Sequence, residues 1–252
     1  MKKIIINGMR VISDPQVVNG KSGEAVVARC VINTSQKVNN EWKDIPRYMS
    51  VFFTGAVRSH FDAMKAKKGS TLSVIGNYAL SVYQAEGKEP VLNISVFADS
   101  VEFSTGSIGN TGTMAVFCTD MGICADIHAT ANGGYVDAAY NSGYGENKQT
   151  EYIRLLFTGA TNPLVQKGKR IDVLGKWDAG LVCKDGKTYI NQTIYVGTYN
   201  KSPFTPKNSA PATAPATAPT AAPVPQAAPA AAPAPSMSLE GFEEIGTDVA
   251  FF

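Results

Sequence analysis

The chain has 252 residues and a formal net charge of +2, enough for two ordinary domains with their own cores and a remainder. Its 23 glycines and 9% aromatic content, with many Val, Ile, Thr and Tyr, favour short strands and turns over helices; no apolar run approaches the roughly 20 residues that cross a bilayer. The opening Met1–Gly8 segment lacks the length and small-residue cleavage site of a signal peptide, and Cys30, Cys118, Cys124, Cys183, His60 and His128 are scattered without a CxxC pair. The expectation is an intracellular protein with four reduced thiols packed as small apolar residues, no metal and no cofactor.

The segments Ile4–Ile6, Val26–Asn33, Tyr48–Thr54, Leu72–Tyr78 and Leu92–Phe97 are short and β-branched or aromatic, and turn residues such as Asp14-Pro15, Asn19-Gly20 and Glu86-Gly87 separate them. Between the third and fourth, Ala56–Lys67 places Val57, Phe61 and Met64 at helical spacing, with Gly69 as the expected C-terminal cap. Five strands with a helix between the third and fourth is the element order of the OB-fold barrel.

The same order recurs. Tyr48–Ala56 (YMSVFFTGA) returns as Tyr152–Ala160 (YIRLLFTGA), Lys68–Tyr78 as Lys167–Trp177, and Val91–Val96 as Tyr189–Ile194. The connector corresponding to the helix is shorter in the second copy and shrinks to Thr161–Gln166, room for a single turn. After Tyr199 the composition changes. Ten of the 14 prolines lie between Pro203 and Pro235, interleaved with alanine, a composition that buries little apolar surface and favours an extended spacer. The fold class is therefore all-β: two tandem five-stranded OB-fold barrels at 1–104 and 113–200, a disordered Pro/Ala-rich linker at 201–237, and an acidic, apolar tip at 238–252.

Charge is distributed unevenly over these parts. Residues 1–104 carry 13 Lys/Arg against 9 Asp/Glu, residues 105–200 carry 8 against 8, and residues 201–252 carry 2 against 4. A basic first unit suits a polyanion. In Tyr48–Thr54, strand alternation puts Met49, Val51 and Phe53 on one wholly apolar face and Tyr48, Ser50, Phe52 and Thr54 on the other. The second face offers aromatic rings for stacking on unpaired bases; its copy carries Tyr152, Arg154, Leu156 and Thr158. Trp42, Tyr78 and Trp177 are further aromatics, open to either a stacking or a packing role. Arg29, Lys37, Lys43, Arg47, Arg58, Lys88, Lys169 and Arg170 are candidate phosphate contacts.

The Asn7-Gly8 turn, Asp14-Pro15, the strand Val27–Thr34, the strand Tyr48–Gly55, and Lys67-Lys68-Gly69-Ser70 leading to Ile75-Gly76 together resemble the bacterial single-stranded DNA-binding proteins; about 200 residues are covered if the second repeat is a diverged copy. The resemblance implies base stacking at the start of the third strand and near the end of the fourth, at Tyr48 and Tyr83, with Tyr152 in the copy. Thr54 and Thr158 stand where that family often has another aromatic. The DNA-binding set expected is thus Tyr48, Phe52, Tyr83, Trp42, Arg29, Arg47, Lys88, Tyr152, Arg154 and Trp177.

By the same resemblance, two barrels in one chain imply a homodimer of the less common two-domain branch, and the end of the chain implies docking on replication and repair enzymes. Its residues there are Glu243, Glu244, Asp248, Val249, Phe251 and Phe252, less acidic than is usual and without the customary proline. The expected function is sequence-tolerant coating of single-stranded DNA during replication, recombination and repair, in the cytoplasm with the nucleoid. Neither repeat clusters carboxylates or pairs a nucleophile with a base, so an enzyme is not expected. A non-catalytic adaptor that binds protein or RNA is the alternative.

Overall fold

The computed structural model describes residues 1–20, 23–38, 41–85, 87–104, 112–142, 149–159 and 163–203. The tip and nearly all of the Pro/Ala-rich linker lie outside them. Two closed barrels follow one another along the chain. Barrel 1 contains β1 (Lys2–Val11), β2 (Gln16–Gly20), β3 (Gly23–Val38), β4 (Glu41–Phe53), α1 (Gly55–Met64), β5 (Thr71–Tyr83) and β6 (Val91–Phe103). Barrel 2 contains β7 (Thr113–Ile123), β8 (His128–Thr130), β9 (Gly133–Ser142), β10 (Gln149–Thr158), β11 (Arg170–Lys184) and β12 (Lys187–Lys201).

In barrel 1 the neighbours run β3-β4-β6-β5-β1, and β1 closes the ring by pairing with β3. Barrel 2 repeats this as β9-β10-β12-β11-β7, closed by β7 with β9. Each ring has five strands, as the element order implies. The short β2 and β8 are additions at the edges of β3 and β9. The strands extend well past the apolar segments visible in sequence, because the pairing of the β3–β4 and β5–β6 hairpins continues as arms to Val38–Glu41 and Tyr83–Val91, the second arm leaving Val82, Tyr83 and Val91 exposed.

The alternation in β4 holds: Met49, Val51 and Phe53 are buried with Ile4, Ile6, Leu72, Val74, Ile94 and Val96 inside barrel 1. Phe61 of α1 caps this interior, its ring stacked on Phe53 at 4.0 Å. The helix stops earlier than its spacing suggests. Lys65, in the left-handed region at φ 52°, is its C-cap, and Gly69 instead turns the chain so that its N–H donates to the Val11 carbonyl at 2.8 Å. In barrel 2 the described part of the short connector is non-helical, and buried Val165 is its apolar plug.

Each barrel turns one corner at a glycine. A Cβ on Gly76 would sit 2.2 Å from the Phe97 carbonyl oxygen, and one on Gly175 would sit 2.3 Å from that of Tyr195. The pairing register shifts at both places, so the close backbone approach that lets a flat hairpin bend into a ring demands glycine. The expectation of four packed thiols holds for two. Cys30 and Cys118 face the barrel interiors, whereas Cys124 and Cys183 are exposed.

The barrels are joined through their first strands. β1 pairs antiparallel with β7 from Lys2–Cys118 to Asn7–Thr113. Ile4 faces Gly76 within barrel 1, and Val116 faces Gly175 within barrel 2, so the two are equivalent positions. They are also paired with each other, which places a pseudo-twofold axis through the Ile4–Val116 pair.

Candidate nucleic-acid interface

The outer face of barrel 1 is the sheet β3-β4-β6-β5. Ser50 lies between Arg29 on β3 and Ser95 on β6, and Phe52 between Val27 and Phe97. Tyr48, two residues before Ser50, shares this outward side. Ser95 pairs with Ala79 on β5, so Ser81 and Tyr83 point the same way. Strand register therefore brings Tyr48 and Tyr83, far apart in sequence, onto one surface, 37% and 42% exposed. Phe52 does not stand free beside them. It is 7% exposed and stacks on Phe97 at 5.2 Å, a packed pair further along the same side of the sheet. Arg29 is half-buried at its β3 side, and Lys88 is exposed in the turn between β5 and β6. Trp42 lies on the β3–β4 arm opposite Lys37, where only the backbone is described.

The corresponding face of barrel 2 is β9-β10-β12-β11. Tyr152 is 68% exposed, and Arg154 sits between Asp137 on β9 and Thr193 on β12. Arg154 donates from Nε to Asp137 Oδ1 at 2.9 Å and from Nη2 to Oδ2 at 3.3 Å, and this hydrogen bonding raises the guanidinium pKa further. The guanidinium also lies over the Tyr135 ring, 4.9 Å from its centre, and His128 stacks on the same tyrosine. Tyr195 takes the position of Phe97; burial, then the nearby Asp178, raises its phenol pKa.

No family model and no curated protein matches this sequence. Among solved structures, wild-type single-stranded DNA-binding protein from Thermus aquaticus matches over 83% of this chain and 97% of its own, with a TM-score of 0.50 and 11% identity. A deletion mutant of the same protein gives 0.48 and 12%, covering 82% of this chain and 98% of its own. The small single-stranded DNA-binding protein from Streptomyces coelicolor covers 40% of this chain and 94% of its own, with 0.33 and 14%. The chain has the fold of the Thermus aquaticus protein.

Within this two-barrel OB fold, two residues expected at the DNA surface serve the joint between the barrels. Trp177, two residues beyond Gly175, is the counterpart of Tyr78, two beyond Gly76, and across the pseudo-twofold the two rings meet at 4.9 Å. Trp177 is 1% exposed, too deeply packed to stack on a base. Around this pair the Tyr78 hydroxyl donates to Gln192 Oε1 at 2.9 Å, Gln192 Nε2 donates to Glu151 at 3.1 Å, and the Lys2 ammonium meets Glu151 at 2.6 Å while lying over the Tyr78 ring. Burial, with smaller contributions from Cys118, Glu151 and Tyr140, drives the Tyr78 phenol pKa well up, keeping it a neutral donor.

Arg47 is the second correction. It lies one residue from Tyr48, hence on the opposite side of β4, and its Nη2 donates to Asp178 of barrel 2 at 2.7 Å. Its guanidinium is a tie between barrels. The tip residues Glu243, Glu244, Asp248, Val249, Phe251 and Phe252 lie outside the described residues.

Tyr189 was missed. Tyr83 pairs with Val91 on the arm of barrel 1, and the equivalent pair in barrel 2 is Val182 with Tyr189. The exposed aromatic has exchanged strands and remains on the same arm, 51% exposed. The repeat alignment, which sets Val91 against Tyr189, carried this signal once cross-strand pairing is considered.

Proposed function

We propose that this protein binds and protects single-stranded DNA with little sequence preference during replication, recombination and repair, without catalysing a reaction. The observation that carries the reading is the joint placement of Tyr48 and Tyr83 on one outward face beside Arg29. Two exposed rings on one face can stack on bases, which reads no base edge, and the arginine offers charge to the backbone. The Thermus aquaticus protein of the same fold is named for single-stranded DNA binding, which supports the same reading.

In this reading the units are barrel 1 at 1–104, barrel 2 at 113–200, a spacer at 201–237, and a tip at 238–252 that recruits replication and repair enzymes. The working location is the cytoplasm, with the nucleoid. The working form is a homodimer. Ile5, Ile75, Phe117 and Leu174 lie on the outer side of the strands flanking the pseudo-twofold axis, with Ile75 and Leu174 exposed. A second copy of this chain would cover that symmetric apolar stripe, and sedimentation as a monomer at micromolar concentration would remove the dimer from the proposal.

Titration with oligo-dT, followed by tyrosine fluorescence, tests the binding. Exposed Tyr48, Tyr83, Tyr152 and Tyr189 should be quenched by the single strand and not by a duplex of equal length. Equal quenching by duplex, by oligo-U alone, or by neither DNA would overturn the assignment, the RNA outcome pointing to the adaptor alternative.

A further inference from the structure

Equivalent positions on the two outer faces carry opposite charge. The row across β3, β4 and β6 is Arg29, Ser50 and Ser95. Its counterpart across β9, β10, β12 and β11 is Asp137, Arg154, Thr193 and Asp178. Aspartate replaces the arginine, and arginine replaces the serine. Among the described residues, no ion pair engages Arg29, whereas Arg154 is held in a two-pronged bond by Asp137 and Asp178 is held by Arg47 reaching over from barrel 1. Every arginine that reaches the barrel 2 row arrives with a carboxylate.

The consequence for a polyanion follows from exchange. A phosphate that meets Arg29 displaces mobile ions and gains from their release. A phosphate that meets Arg154 must displace Asp137, which cannot diffuse away because it is fixed on the neighbouring strand and continues to repel the newcomer. The Arg154–Asp137 pair is about half-exposed, so its own stability is small and the exchange is possible, but it yields little. What the centre of barrel 2 offers instead is aromatic surface, in Tyr152 and Tyr189, while lysines lie off the row, Lys176 two residues before Asp178 and Lys184 and Lys187 at the end of the arm.

We infer that Asp137 is a specificity-determining residue that makes the Arg154 row of barrel 2 a poor phosphate site, so that a single strand is captured by barrel 1 and crosses the centre of the barrel 2 face chiefly by base stacking. The inference rests on the single-strand reading proposed above and adds an order of engagement and the residue that sets it.

The test compares the full chain with Asp137→Asn, which keeps side-chain size and removes the charge. Binding is measured against oligo-dT of about 10 nucleotides, the span of one barrel, and about 30, enough for two, over a range of salt. With the long strand, Asp137→Asn should bind up to about five-fold tighter at low salt, and its log–log salt slope should steepen by as much as about 0.7 as Arg154 becomes available. With the short strand, the two proteins should be indistinguishable. Adding Arg154→Gln should cancel the gain, while Arg154→Gln alone, which leaves the Asp137 carboxylate unpaired, should bind the long strand more weakly than the unsubstituted protein; Asp137→Ser is a second charge-removing variant if Asn perturbs folding. Identical long-strand affinity and slope in both proteins, or an equal gain on the short strand, would overturn the inference while leaving the binding function intact. Failure of the unsubstituted protein to bind either strand would instead overturn the function itself, and the inference with it.

Discussion

Barrel 1 and barrel 2 share a skeleton and differ in what is mounted on it. Both close five strands in the same order, both bend at a glycine against a carbonyl, and both place an aromatic two residues beyond that glycine at their common joint. The differences lie in the lid and the outer face. Barrel 1 closes over α1 and Phe61, while barrel 2 closes over a turn and Val165. Barrel 1 shows Arg29, Tyr48 and Tyr83 outward; barrel 2 shows Tyr152 and Tyr189 with an arginine already neutralised. What is equivalent is fixed by backbone geometry, where one atom too many prevents closure. What has diverged is solvent-facing, where substitution leaves the ring intact.

The largest effect expected concerns the joint, the one place where neither barrel is independent. Trp177→Ala should cost about 3–5 kcal/mol of stability in urea unfolding, because it empties a fully packed site between the barrels. A loss well under 1 kcal/mol would mean that the barrels stand apart and that Trp177 is not their shared core.

Next are the glycine corners, which test whether the skeleton is truly common. Gly76→Ala and Gly175→Ala should each destabilise by about 2–3 kcal/mol, since the methyl group meets backbone oxygen with no flexible side chain to move aside. Comparable midpoint shifts in thermal unfolding are expected for both. A tolerated substitution in one barrel alone would break the equivalence there.

On the outer faces, Tyr48→Ala and Tyr83→Ala should each weaken binding to short oligo-dT by about 1–3 kcal/mol, with folding unchanged by circular dichroism. Tyr152→Ala and Tyr189→Ala should show their loss only with strands long enough to reach barrel 2. Calorimetry in which all four variants act alike on the short strand would erase the distinction between the faces.

The smallest perturbation is chemical. Burial pushes the Cys30 and Cys118 thiols up to about 12, so at about pH 8 they stay protonated and shielded. A disulfide reagent should modify two thiols rapidly, Cys124 and Cys183, both in barrel 2. Peptide mapping that finds Cys30 labelled in the native protein would show that barrel 1 opens more readily than its packing implies.

Much of this was legible in the chain. The alternation in Tyr48–Thr54 identified both the core side with Phe53 and the outward side with Tyr48, because strand period depends only on neighbours in sequence. The repeat located Gly76 and Gly175 as counterparts for the same reason. Helix α1 was legible in Val57, Phe61 and Met64, though its end at Lys65 was not, since a lysine in the left-handed region has no sequence signature of its own.

The sequence alone determined the number of barrels, the strand alternation and the outward aromatic Tyr48 within β4, all of which follow from local period and repetition. Only the tertiary structure decided which side chains meet. Trp177 and Tyr48 are both aromatics in strands, yet the β1–β7 pairing places the first against Tyr78 and leaves the second outward. Arg47 and Arg29 are both strand arginines, yet an aspartate 131 residues away claims Arg47. Asp137 and Arg154 become a pair only because β9 lies beside β10 in the register that sets them opposite each other. Charge and aromaticity are properties of residues, but availability is a property of neighbours, and non-local strand pairing chooses the neighbours.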